Sequence, residues 1–124
     1  MRRVVITGLG VISPIGNNAE EVSASLKAGK SGICFMQQLA DHNFKCQVGA
    51  KPSINPAEHV DKRVYRFMSE GAGWCYMAME QAIAASGIPQ DDISHPRTGI
   101  IMGSGGPSAG TIVDAADITR DKGP

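Results

Sequence analysis

Aromatic side chains are scarce in this chain: one Trp, two Tyr and three Phe make up 5% of 124 residues. That leaves little for a core built on large rings, and the 15 glycines point instead to close backbone packing and tight turns. Net charge is missing too, because 12 Lys and Arg cancel 12 Asp and Glu. No global field draws in nucleic acid or an anionic membrane, so a charged partner must be recognised by a local patch. No apolar run approaches the ~20 residues needed to span a bilayer. Arg2-Arg3 imitates the start of a secretion signal, but Gly8, Gly10 and Pro14 break the apolar stretch and no small-residue cleavage site follows. Cysteine is sparse and unpatterned. Cys34, Cys46 and Cys75 form no CxxC and leave an odd number, which reads as free buried thiols in a reducing compartment. His42, His59 and His95 are scattered without HExxH or Cys/His spacing, which argues against a metal site. Together these absences predict a cytoplasmic protein.

What is present suits a globular chain, with 42% hydrophobic and 19% charged residues and enough length for one ordinary core. Residues 3–8 are β-branched and apolar on both faces, as in a strand covered on both sides. Asn18 and Glu21 have the spacing of a capping box for a helix over 19–28, which stops at Gly29. A short strand is predicted at Lys45–Ala50, with Pro52 and Pro56 punctuating the loop after it. The longest helix is predicted from near Asp61 to Ser86, with Gly87 as its cap and Pro89 as its stop. Its apolar stripe comprises Val64, Phe67, Met68, Gly71, Cys75, Ala78, Met79, Ala82 and Ile83, the spacing of one buried face. A strand at Thr98–Met102, a glycine turn and a helix over Ala109–Thr119 complete the chain, which ends polar. Strand, helix, long helix, strand is a βαβ-like order and predicts an α/β sheet with helices on its faces. Two core strands make a thin sheet, so the segment reads as incomplete as a stand-alone domain.

Several motifs invite chemistry and fail on detail. Gly8-Leu-Gly10-Val-Ile-Ser13 suggests a dinucleotide turn, yet the third glycine position is Ser13 and Pro14 precedes any helix. Gly29-Lys30-Ser31 imitates the end of a P-loop, but Ala24 stands where a glycine is needed and the triplet closes a helix. Gly103-Ser-Gly105-Gly106-Pro107-Ser108 follows a strand, where α/β sheets place ligands. The other reading of that turn is a tight bend needing unusual backbone angles. Met102 occupies the first glycine position of GxSxG, so Ser104 is a poor nucleophile. Lys62, Arg63 and Arg66 open the long helix away from its apolar stripe. They are either a solvated face or, since cations there oppose the helix dipole, a device for holding an acidic partner.

Six segments stand in order along the chain: Arg3-Val-Val-Ile-Thr-Gly-Leu-Gly, Ile15-Gly-Asn, Lys30-Ser-Gly-Ile, Asp61-Lys-Arg-Val-Tyr-Arg-Phe-Met, Met79-Glu-Gln-Ala-Ile-Ala and Gly99-Ile-Ile-Met-Gly-Ser-Gly-Gly. In their order and separations the chain resembles the β-ketoacyl-acyl carrier protein synthases, condensing enzymes of the synthase I type. It implies that residues 1–124 are the amino-terminal segment of a thiolase-like layered αβαβα fold, in an enzyme assembled as a homodimer. It implies a decarboxylating Claisen condensation, in which a cysteine takes the acyl chain and two histidines help malonyl-acyl carrier protein lose carbon dioxide. None of those three residues carries over to this chain, which is therefore predicted inactive alone, and no cofactor is implied. Lys62, Arg63 and Arg66 match basic positions that meet the acidic acyl carrier protein. Gly106 matches a position beside the acyl channel. The alternative is a non-catalytic fragment or split-chain subunit that folds against a complementary chain.

Overall fold

The long helix predicted from Asp61 to Ser86 is interrupted. In the computed structural model, which describes residues 3–123, it divides into α3 (Lys62–Tyr65) and α4 (Glu70–Ser86). α3 ends in a tight turn, with the Phe67 and Met68 amides donating to the Val64 and Tyr65 carbonyls, and Ser69 then caps a new helix: its hydroxyl accepts from the Ala72 amide at 3.3 Å in extended backbone. Asp61 caps α3 in the same way, accepting from the Arg63 amide at 2.8 Å. Ahead of these lie α1 (Ala19–Lys27), β1 (Cys34–Phe35), α2 (Gln37–Asp41), β2 (Val48–Gly49) and a 3-10 turn at Pro56–Glu58. After them come α5 (Gln90–Ile93) and α6 (Ala109–Lys122). Arg2 and Pro124 lie outside the described residues.

The α1 boundary follows its sequence signals. Asn18 Oδ1 accepts from the Glu21 amide at 2.9 Å, and the Glu21 carboxylate reaches back to the Asn17 amide at 2.8 Å. Gly29 follows the helix with φ +63°, the left-handed conformation that glycine adopts without strain, and Gly87 closes α4 with φ +67°. Ser25, which is buried, donates from its hydroxyl to the Ile15 carbonyl at 2.6 Å and ties α1 to the segment before it.

Packing centres on α4. Pro56 is fully buried, and an ideal Cβ built at Gly73 would lie 2.6 Å from the Pro56 Cβ and 2.8 Å from Tyr65 Cε2. Only glycine admits that approach. Val60 and Met77 complete the buried apolar set among the described residues. The Trp74 indole donates to the Ile54 carbonyl at 2.9 Å, and Lys51 Nζ lies 2.8 Å from Glu70 Oε1 and 5.8 Å from the Trp74 ring centre. The apolar stripe is thus only partly as expected. Ala78, Met79, Ala82 and Ile83 are half-buried, but in the first turns Gly73 and Met77 face inward while Gly71 and Cys75 are exposed. Val64 and Phe67, which precede the break, are exposed as well.

The segment Gly8–Gly10 lies directly on α4. A Cβ at Gly10 would collide with the Ala78 carbonyl oxygen, and one at Gly8 with that of Ala82. Gln81 fixes the crossing with both ends of its amide: Oε1 accepts from the Val11 amide at 3.2 Å, and Nε2 donates to the Asn17 carbonyl at 2.7 Å.

The predicted sheet is not formed among the described residues. Residues 3–8 and Thr98–Met102 belong to no strand, and the sheet present is the antiparallel β1–β2 ribbon, with Cys34 opposite Gly49 and Phe35 opposite Val48. β2 falls inside the predicted Lys45–Ala50 strand. A strand needs a neighbour for its amides and carbonyls, and the two apolar segments pair neither with each other nor with the ribbon. Val4 is 93% exposed, Ile6 91%, and Ile101 is fully exposed. Uncovered apolar backbone of this kind associates. The isolated chain should therefore bind a hydrophobic dye and sediment as concentration-dependent oligomers; a monodisperse, dye-silent monomer would contradict this.

Replacing Gly10 with Ala should lower stability by about 1–3 kcal/mol, the usual penalty for overpacking, because the added carbon meets helix backbone that cannot yield. Gly71→Ala, in open space on the exposed side of α4, should instead be neutral or stabilise by about 0.4–1 kcal/mol. Urea midpoints at the lowest workable protein concentration compare the two, and equal shifts would show that the crossing is not tight.

Candidate functional site

A cleft of about 570 Å³ opens between the first turns of α4 and the Met102–Ser108 loop. Trp74 and Cys75 stand on its helix side, and Met102, Gly106 and Pro107 on its loop side. The geometry follows from chain direction. α4 runs one way, Gly87 and Pro89 reverse the chain, and the segment through Thr98–Met102 returns its far end to the start of the helix. Sequence reasoning singled out the loop and missed the helix wall, because the two meet only through the tertiary return of the chain.

The loop is held locally. Ser104 Oγ donates to the Gly106 carbonyl at 2.6 Å, which engages the hydroxyl in a turn rather than with a base. Gly106 does not have a positive φ, and a Cβ placed there would meet nothing within 4 Å. The reading of this turn as one needing unusual backbone angles is corrected for Gly103, Gly105 and Gly106, none of which lies in the left-handed region. The missing side chain at 106 widens the cleft instead.

The basic residues sit apart from the cleft lining. Lys62 and Arg63 are exposed on α3, and Arg66 is its exposed C-cap, with the guanidinium carbon 4.4 Å from the Phe67 ring centre. None of the three is in an ion pair among the described residues. The break at Ser69 changes their electrostatics. Lys62 and Arg63 are the first two residues of a four-residue helix, too short to build a sizeable macrodipole, so the expected opposition to a long helix dipole is absent. The patch remains, but dipole cost no longer argues for it.

The thiols also differ from expectation. Cys34, Cys46 and Cys75 are free, but all three are exposed rather than buried. Cys34 and Cys46 lie on and beside a ribbon with no second layer over it, and Cys75 is turned out by the inward facing of Gly73 and Met77. Tyr76, on the same helix, has its pKa raised from 10.0 by a hydrogen bond to Glu80, then by the Glu80 charge, burial and Asp61. No group of three or more His, Cys, Asp or Glu side chains is arranged to hold a metal among the described residues. None of their helices is long and apolar enough to cross a membrane.

The family model for the β-ketoacyl synthase N-terminal domain matches residues 1–122. The chain belongs to that family. It is 47% identical over 120 residues to 3-oxoacyl-[acyl-carrier-protein] synthase 1 of Haemophilus influenzae, and 45% identical over 121 residues to that of Escherichia coli, in each case across 97% of this chain. A synthase 2 from Vibrio cholerae is 31% identical over 124 residues. The chain spans about 30% of the length of each of these relatives. Family membership accounts for the recognised segments, from Arg3-Val-Val-Ile to Gly99-Ile-Ile-Met, as parts of one domain type.

The exposed thiols give a direct check on the geometry of this family segment. Iodoacetamide should alkylate Cys34, Cys46 and Cys75 without denaturant, at comparable rates, as read by intact mass and peptide mapping. Protection of Cys75 that is lifted by urea would show that the start of α4 is covered.

Proposed function

We propose that this chain is the amino-terminal segment of a 3-oxoacyl-acyl carrier protein synthase that elongates fatty acyl chains by decarboxylating Claisen condensation with malonyl-acyl carrier protein. The observation that carries the proposal is 45–47% identity to two synthase 1 enzymes along 97% of the chain. In that reading residues 1–124 belong to a thiolase-like layered domain of a cytoplasmic homodimer. The Cys-His-His set lies outside the residues that carry over. Catalysis in such a site depends on stabilising an enolate oxyanion, for which this chain supplies scaffold and channel rather than reacting groups.

Lys62, Arg63 and Arg66 take the role of a docking patch for acyl carrier protein. Their exposure, and the absence of an ion pair to any of them among the described residues, support it, since cations already neutralised would attract an acidic partner weakly. Changing Lys62 and Arg66 together to Glu in the intact protein should slow carrier-protein association, with a loss largest at low salt. Unchanged association kinetics at low ionic strength would reduce the patch to a solvated face.

Gly106 takes the role of an open wall of the acyl channel, supported by the apolar cleft and by the empty space around its α-carbon. Gly106→Ile should lower specificity for long acyl chains by roughly five- to two-hundred-fold, corresponding to overpacking of about 1–3 kcal/mol. Short chains should be affected much less. Because no positive φ is involved, folding should be preserved. A uniform loss over all chain lengths, with a lowered melting temperature, would defeat this assignment.

A second reading, a non-catalytic fragment or split-chain subunit that folds against a complementary chain, is favoured by the exposure of Val4, Ile6 and Ile101. Intact-mass measurement of the protein from its source separates the two. A longer continuous polypeptide supports the synthase, and a native end at Pro124 supports the subunit.

A further inference from the structure

We draw no further inference here: the strongest candidate, the apolar cleft between the first turns of α4 and the Met102–Ser108 loop with the exposed Cys75 thiol on its wall, belongs to the site already described, and nothing in the structure shows what else would fill it.

Discussion

The contact on which the rest of this chain depends is backbone against backbone. Gly8 and Gly10 cross α4 so closely that the Ala78 and Ala82 carbonyl oxygens occupy the space of any side chain there. Small residues on both sides make this possible: Ala on the helix, Gly on the crossing segment. Gln81, between the two alanines, turns proximity into register by bonding to Val11 and Asn17. Asn17 immediately precedes the cap of α1, and Ser25 holds α1 to Ile15, so residues 8–25 are all referenced to one helix. Removing the Gln81 amide would leave partly buried backbone groups unpaired, at about 1–3 kcal/mol for each group left without a partner. The other end of α4 is held by different means: Pro56 packed on Gly73, the Trp74 indole on Ile54, and Lys51 on Glu70. α4 is therefore the spine to which residues 8–25 and the turn at Pro56 are fixed.

Local signals in the sequence are legible because they act over a few residues. Asn18 with Glu21, Gly29 and Gly87 fulfil the roles their spacing predicts, and α6 begins at the expected Ala109. The break at Ser69 was harder to see. An apolar periodicity continues across it, and Ala72 stands where a capping box would show Glu or Gln. The inward face of α4 was obscured for a related reason. Glycine has no hydrophobic signal, so the burial of Gly73 against Pro56, seventeen positions earlier in the chain, cannot be read from periodicity; it depends on a tertiary contact. The same holds for Gly8 and Gly10, whose doublet looks like a nucleotide turn by spacing alone. Ser13 and Pro14 already argue against the nucleotide turn, but the positive reason for the two glycines, the helix packed against them, is a non-local fact.

Sheet formation fails to follow from strand propensity for a different reason. Val4–Ile6 and Ile100–Met102 have the composition of strands buried on both faces, yet they stand exposed. Composition records what environment a segment suits, while a ladder requires partners of the right register on each edge. Relatives in which this stretch is about 30% of the length contain much more chain from which such partners could come. The two segments thus carry information about the family domain that the described residues do not themselves realise.

The break at Ser69 also bears on how the candidate site is arranged. Lys62, Arg63 and Arg66 lie just before it, and the helix wall of the cleft begins just after it. In one continuous helix the orientation of the basic side chains would be tied to the inward face of α4, each position rotated by about 100° from the last. With α3 separate, capped by Asp61 and followed by its own turn, the basic patch is oriented independently of the helix that packs the core. Charge can then stay in water while the next residues enter apolar surroundings. On the proposed reading this suits a synthase that receives its substrate from an acidic carrier, because docking contacts and channel wall meet within a few residues without sharing a helix face. The tight turn after Arg66, together with the new start capped by Ser69, is what separates them.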